Sequence, residues 1–200
     1  MPRIERRQAP PTNSRYQSYK QYLRIDFLWR CCYCCIRETE YGGSRHFAVD
    51  HFQPKSDVPS LLSVYTNLYY ACDSCNGYKS AHWPMQWELD LGFRFFDACV
   101  DWAKDHFSLQ NDGKLLTKSK CGEYTVLRVR LNRKPLVDLR QKRQEFIRKY
   151  RSFLSRRREL SKALEVAAQP DAVDIPDLIS AIDFYLAETK AAHFTTTALD

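Results

Sequence analysis

The sequence predicts an α+β fold, and three observations carry that expectation. Two Cys-x-x-Cys pairs, Cys31/Cys34 and Cys72/Cys75, bracket a short apolar run that ends at Asp50-His51. An Asn111-Asp112-Gly113 turn between two apolar segments reads as a β-hairpin, with glycine where a positive φ is wanted. Helical spacing takes over after Pro135 and again after Pro176. Two hundred residues make one medium domain, or a small domain with an accessory one. The expected division is residues 1–92, the cysteine-bearing core with an N-terminal helix, and residues 93–200, a hairpin, a long basic helix and an acidic terminal helix.

Each element follows from local pattern. Residues 1–13 are polar and Pro-containing and read as a loose arm. Asn13 or Ser14 caps a helix expected to run to about Trp29, with Tyr16, Tyr19, Leu23 and Phe27 as its core face. Phe47 to Phe52 is a short strand stopped by Pro54. Tyr65 to Ala71 is ambiguous, with Thr66 or Asn67 able to open a short helix. A helix is expected after Cys75, ending near Pro84. Phe93 to Phe96 reads as a strand, and Tyr124 to Leu131 is partly β-like through Thr125, Val126 and Val129. Asn132 is the expected cap of the long helix, with Pro135 in its first turn and an end by Gln169-Pro170. The last helix starts at Pro176 and frays after about Ala192.

Charge is unevenly spread. The chain carries a net +7, yet residues 128–162 alone hold fourteen Lys/Arg against three Asp/Glu, and residues 163–200 hold one against seven. A concentrated basic segment fits contact with a polyanion, because each neutralised phosphate releases counterions. The other reading is an Arg-rich solvated helix face. No run of about 18 apolar residues occurs, so no membrane span is expected. The basic N-terminus has no apolar stretch behind it and is not read as a signal peptide. The chain is therefore taken as cytoplasmic, where paired cysteines point to metal rather than disulfides.

Four thiolates in two CxxC pairs are the usual way to close a tetrahedral Zn²⁺ shell. Cys32/Cys35 overlaps Cys31/Cys34, and the latter is preferred. Cys99 and Cys121 read as small buried hydrophobes. Between and after the pairs lie Asp50, His51 and Asn76. A neutral imidazole is a good general base near pH 7. A carboxylate with an amide oxygen makes a hard site that suits Mg²⁺ or Mn²⁺. Neighbours on a strand point to opposite faces, so Asp50 and His51 serve one site only if the strand bends or ends there.

The run Cys31-x-Tyr33-Cys34, Val49-Asp50-His51-Phe52-x-Pro54-Lys55, Asn67-Leu68, Cys72-x-x-Cys75-Asn76-x-x-Lys79 resembles the HNH endonucleases, in their zinc-bound subclass, over about residues 29–84. The resemblance implies a ββα-metal HNH core stapled by a four-cysteine zinc knuckle, with His51 as general base and Asp50 and Asn76 on a catalytic divalent ion. It also implies that Asn67 braces the ββα loop and that Lys79 sits near the scissile phosphate. Asn76 stands where many family members have His, which favours Mg²⁺ or Mn²⁺. Residues 93–140 resemble, more loosely, the extension of bacterial HNH proteins found in anti-phage defence loci, some beside an ATPase.

Three functions are consistent with these residues. The first is a metal-dependent HNH endonuclease acting on DNA, most simply double-stranded, where two protomers or two events are needed for a double-strand break. The second is a non-catalytic zinc-knuckle module that binds nucleic acid. The third is a nuclease subunit active only with a partner such as an ATPase.

Overall fold

The structure is a computed structural model that describes residues 3–10, 12, 15–166 and 174–193. It is an α+β chain in two compact units, residues 1–137 and 138–200. In the first unit a 3-10 turn, Tyr16–Tyr19, leads into α1, Lys20–Asp26. The expected core face holds for Tyr19, Leu23 and Phe27, which are buried, whereas Tyr16 is half-buried and turns to His51. The helix stops short of Trp29 because Leu28 and Trp29 both adopt positive φ.

β1, Phe47–His51, pairs antiparallel with β2, Leu68–Cys72, in a register that sets Phe47 opposite Cys72 and His51 opposite Leu68. α2, Asp73–Lys79, follows β2 without a loop. The ambiguous run therefore contains a 3-10 turn at Tyr65–Asn67 and then a strand. Every residue of β2 is buried, so no polar–apolar alternation marked it as a strand. α2 begins before Cys75, not after it, and ends at Lys79 because Ser80 turns to φ 47°. Stacked rings hold the hairpin, Phe47 on Tyr70 at 4.9 Å and Phe52 on Tyr69 at 4.8 Å.

Short helices α3, Gln86–Asp90, and α4, Ala103–His106, lead to β3, Phe107–Leu109, and β4, Leu115–Thr117, the expected hairpin. Two strand expectations fail. Phe93 to Phe96 forms no strand; the Phe96 amide bonds the Thr125 hydroxyl at 2.7 Å instead. Tyr124 to Leu131 is largely helical, in α5, Lys120–Arg128, whose N-cap Ser119 accepts the Gly122 amide. That cap and the burial of Tyr124, Thr125 and Val126 override β-propensity. Gly122 is needed because a Cβ there would strike the His106 carbonyl.

α6, Lys134–Val166, begins past Asn132, whose side chain is used elsewhere: its amide bonds both the amide and the carbonyl of Leu115. In the second unit the body of α6 meets α7, Asp174–His193, through the Arg157–Asp183 ion pair and the Phe153–Tyr185 ring contact. The acidic helix thus folds back on the basic one. The expected α6 terminus at Gln169-Pro170 and the fraying of residues 194–200 lie outside the described residues.

Residues 3–10 are not a loose arm, and residues 1, 2, 11 and 13 lie outside the described residues. Ile4 is buried and donates its amide to Ala98 at 2.7 Å. Arg6 donates to the carbonyls of Tyr65 and Leu68, and Arg7 to Asp26. Burial alone would raise the Asp26 carboxyl, but hydrogen bonds from Arg7 and Tyr65 outweigh it and hold the pKa below its usual value. A depressed carboxylate contributes stability that is complete above the unfolded pKa, about 3.9, and is lost as pH falls through the folded one. Asp26→Asn is expected to destabilise the protein by about 1.5–3 kcal/mol at neutral pH. Its urea midpoint should approach that of the wild type below about pH 4. An equal gap at both pH values would refute the assignment.

Candidate metal centre and acid–base cleft

The first CxxC turn is shaped by its backbone. The Cys31 amide bonds Ile36 O, the Cys35 amide bonds Cys31 O, and the Cys32 amide reaches across to Tyr70 O in the middle of β2. Cys35 takes φ 58°, and this turn aims Cys31 and Cys34 at the end of β2, where Cys72 and the first turn of α2 present Cys72 and Cys75. All four thiols are buried, and their sulfurs lie within 4.8 Å of one another. The Cys34 and Cys72 sulfurs are 3.8 Å apart. A tetrahedron with Zn–S bonds of about 2.3 Å has an edge of about 3.8 Å, so the donors fit zinc. The overlapping pair Cys32/Cys35 lies outside this group.

Charge at the cluster is coupled. Burial opposes ionisation of Cys31, but hydrogen bonds from the surrounding thiols, Cys32 first, outweigh it and draw its pKa well down. Burial pushes the Cys34 thiol well up. A divalent cation held there would supply the counter-charge that lets all four ionise together. Arg133 adds a further cation, with Nη2 3.3 Å from the Cys75 sulfur and its guanidinium over the Tyr78 ring.

Beside the cluster, Asp50 and His51 open onto one cleft of about 210 Å³, together with Pro54, Lys55 and Ser80. The strand ends at His51, which lets both neighbours reach it. Asp50 is 4% exposed. Tyr33, inside the first CxxC turn, donates its hydroxyl to Asp50 Oδ2 at 2.6 Å. Lys79, fully buried, donates to Asp50 Oδ1 at 3.2 Å and to the His51 carbonyl at 2.6 Å. Burial pushes the Asp50 pKa up to about 6, against the pull of the Lys79 charge and the Tyr33 bond. His51 Nε2 lies 2.9 Å from Leu62 O. A carbonyl only accepts, so Nε2 carries the proton and Nδ1 is the basic nitrogen. Burial, together with the Lys55 and Lys79 charges, lowers the His51 pKa despite the Leu62 carbonyl, leaving the ring neutral near pH 7. The edge of Tyr16 packs on it at 4.6 Å.

Asn67 does not reach the cleft. Its side chain accepts from the Gln53 amide at 2.9 Å and donates to the Gln53 carbonyl at 3.0 Å, clamping the loop that follows His51. Asn76 is half-buried on α2, one turn before Lys79, and does not line the cleft. Sequence reading missed Tyr33, Tyr16 and Arg133. The first had a signal, a phenol between two metal-spaced cysteines. The other two depend on tertiary approach alone.

A second cluster, Asp101, His106 and Cys121, is close enough to hold a cation. There Arg94 bonds both Asp101 oxygens, at 2.6 and 2.8 Å. Among the described residues, no helix is long and apolar enough to cross a membrane.

A stretch of 67 residues, 32% of the chain, is 36% identical to the Septu protein PtuB of Bacillus thuringiensis. It spans 25% of that protein's length. No family model matches the chain.

Purified protein is expected to carry one zinc per chain, and Cys72→Ser to lose it together with cooperative unfolding; a metal-free, well-folded wild type would count against the site. Lys79→Met leaves the buried Asp50 carboxylate without its cation, at a cost of about 3–5 kcal/mol. Removing the charge that holds Asp50 down lets the folded state keep a proton that the unfolded state releases, so stability then falls as pH rises. The urea gap to wild type, measured without added Mg²⁺, should be several-fold larger at about pH 8 than at about pH 5. A pH-independent gap would disprove the pairing.

Proposed function

We propose that this chain is a metal-dependent endonuclease of the HNH class, with a ββα core stapled by zinc, that hydrolyses phosphodiester bonds in DNA. The observation that carries this reading is one cleft holding a neutral imidazole of fixed tautomer, His51, beside a buried carboxylate, Asp50. Pure binding needs neither a base nor a hard ligand next to it.

The donor set fits Mg²⁺ or Mn²⁺. Each Asp50 oxygen accepts one hydrogen bond and keeps a lone pair, and the cleft is open to the waters that such ions retain. Asp50 is the ligand this geometry supports. When bound there, the ion would stabilise charge on the phosphoryl oxygens and the leaving oxygen. His51 Nδ1 takes a proton from water, with Nε2 anchored on Leu62 O so that the ring does not turn away. The water oxygen bonds to phosphorus, the bond to the 3′ oxygen breaks, and that oxygen takes a proton from solvent. Asn67 fixes the loop after His51, and Lys79 holds Asp50 and the His51 carbonyl together. α6 is strongly basic, with eleven Lys/Arg against four Asp/Glu, which fits affinity for the phosphate backbone without base readout.

The likeness to the Septu protein PtuB supports a role in bacterial defence against phage. A second reading, a nuclease active only with a partner such as an ATPase, is favoured by one feature. Trp87 and Leu127, 58% and 67% exposed, flank a surface groove of about 420 Å³ with Phe93 and Tyr124. Full cutting by the isolated chain would remove that reading.

The deciding experiment is plasmid nicking in Mg²⁺, Mn²⁺ or EDTA. His51→Ala is expected to reduce cutting by at least about 10²-fold while DNA binding and zinc content stay at wild-type levels. Wild-type rates from His51→Ala would refute the mechanism.

A further inference from the structure

We infer that Tyr33 is a positioning residue that ties the catalytic carboxylate to the thiol cluster, making the second metal site depend on the first. This rests on the nuclease reading given above. Tyr33 stands inside Cys31-x-x-Cys34, so the turn that places the two sulfurs also places the phenol. The side chain is buried, and its ring packs 6.5 Å from that of Phe95. The Tyr33 hydroxyl donates to Asp50 Oδ2 at 2.6 Å.

Asp50 is held from two directions, by Tyr33 from the cysteine turn and by Lys79 from the last residue of α2. Both holders sit on segments that end in the cluster: Tyr33 lies between Cys31 and Cys34, and α2 carries Cys75 in its first turn. With Oδ1 and Oδ2 each occupied by one donor, the lone pairs left over are fixed in direction. A cation in the cleft then meets a carboxylate that cannot rotate. Deleting the hydroxyl frees Oδ2 and leaves it buried without its donor.

The test is Tyr33→Phe, which keeps the ring and removes one atom. Zinc content and DNA affinity are expected to be unchanged. Mn²⁺ affinity, read by electron paramagnetic resonance on zinc-loaded protein, should fall about 10–100-fold, the usual cost of losing a partner of a metal ligand. kcat should fall with it while KM for DNA stays constant. Wild-type zinc content with Mn²⁺ affinity and kcat within twofold of wild type would overturn the inference and leave the nuclease reading intact. A wild-type protein that neither binds Mn²⁺ nor cuts would overturn both. Should Tyr33→Phe not fold, 3-fluorotyrosine placed at position 33 reads the same bond without deleting it. Its fluorine resonance should move on addition of Mg²⁺, and should stay still in an Asp50→Asn background. No movement in the otherwise wild-type chain would also overturn the inference.

Discussion

The convergence of four sulfurs from two distant stretches of chain is the constraint on which the first unit rests. The Cys31–Cys34 turn and the β2–α2 junction are separated by 37 residues, and that insert contains β1, the cleft loop and both proposed chemical groups. Closing the sulfurs fixes the ends of the insert. Between those ends β1 pairs with β2, Phe47 opposite Cys72, and α2 ends at Lys79, which bonds Asp50. A two-stranded ribbon alone is marginal in water. Here the ribbon is flanked by stacked aromatic rings on its faces and by sulfurs at one end.

Two carboxylates near the cleft are each held by a cation and a phenol. Asp50, Lys79 and Tyr33 form one such set, and Asp26, Arg7 and Tyr65 another. In each, a tyrosine hydroxyl and a cation share one carboxylate. At Asp50 desolvation wins and the pKa is pushed up to about 6, whereas at Asp26 the hydrogen bonds from Arg7 and Tyr65 outweigh it and hold the pKa below its usual value. The same three kinds of group therefore give a proton-sensitive carboxylate at position 50 and an anchored one at position 26.

Much of this was readable in the residues. Cys31, Cys34, Cys72 and Cys75 were legible because metal spacing is a covalent-geometry signal that needs no packing context. The β3–β4 hairpin was legible because Gly113 marks its turn. The cleft pair Asp50-His51 stood out through motif order. The strand β2 was not legible, because burial on both faces erases the alternation that identifies a strand. The α5 helix was misread because Thr125 and Val126 are β-formers held in a helix by Ser119 and by core contacts. Asn132 looked like a cap and is instead a clasp on Leu115, a role no local pattern encodes. Asn76 was named by motif order, and it is not among the residues lining the cleft.

Arg6, which links to Cys99 across 93 residues as well as to the carbonyls of Tyr65 and Leu68, has a kinetic meaning. During synthesis the first residues leave the ribosome long before their partners exist. At about 5–20 residues per second, Arg6 waits about 5–19 s for Cys99 to be made. Until then the Arg6 guanidinium has the Tyr65 and Leu68 carbonyls and the rings of Phe27 and Tyr69 as partners. The N-terminal strap therefore closes late on the nascent chain. The proposed hydrolase completes this contact only once Cys99 has been translated.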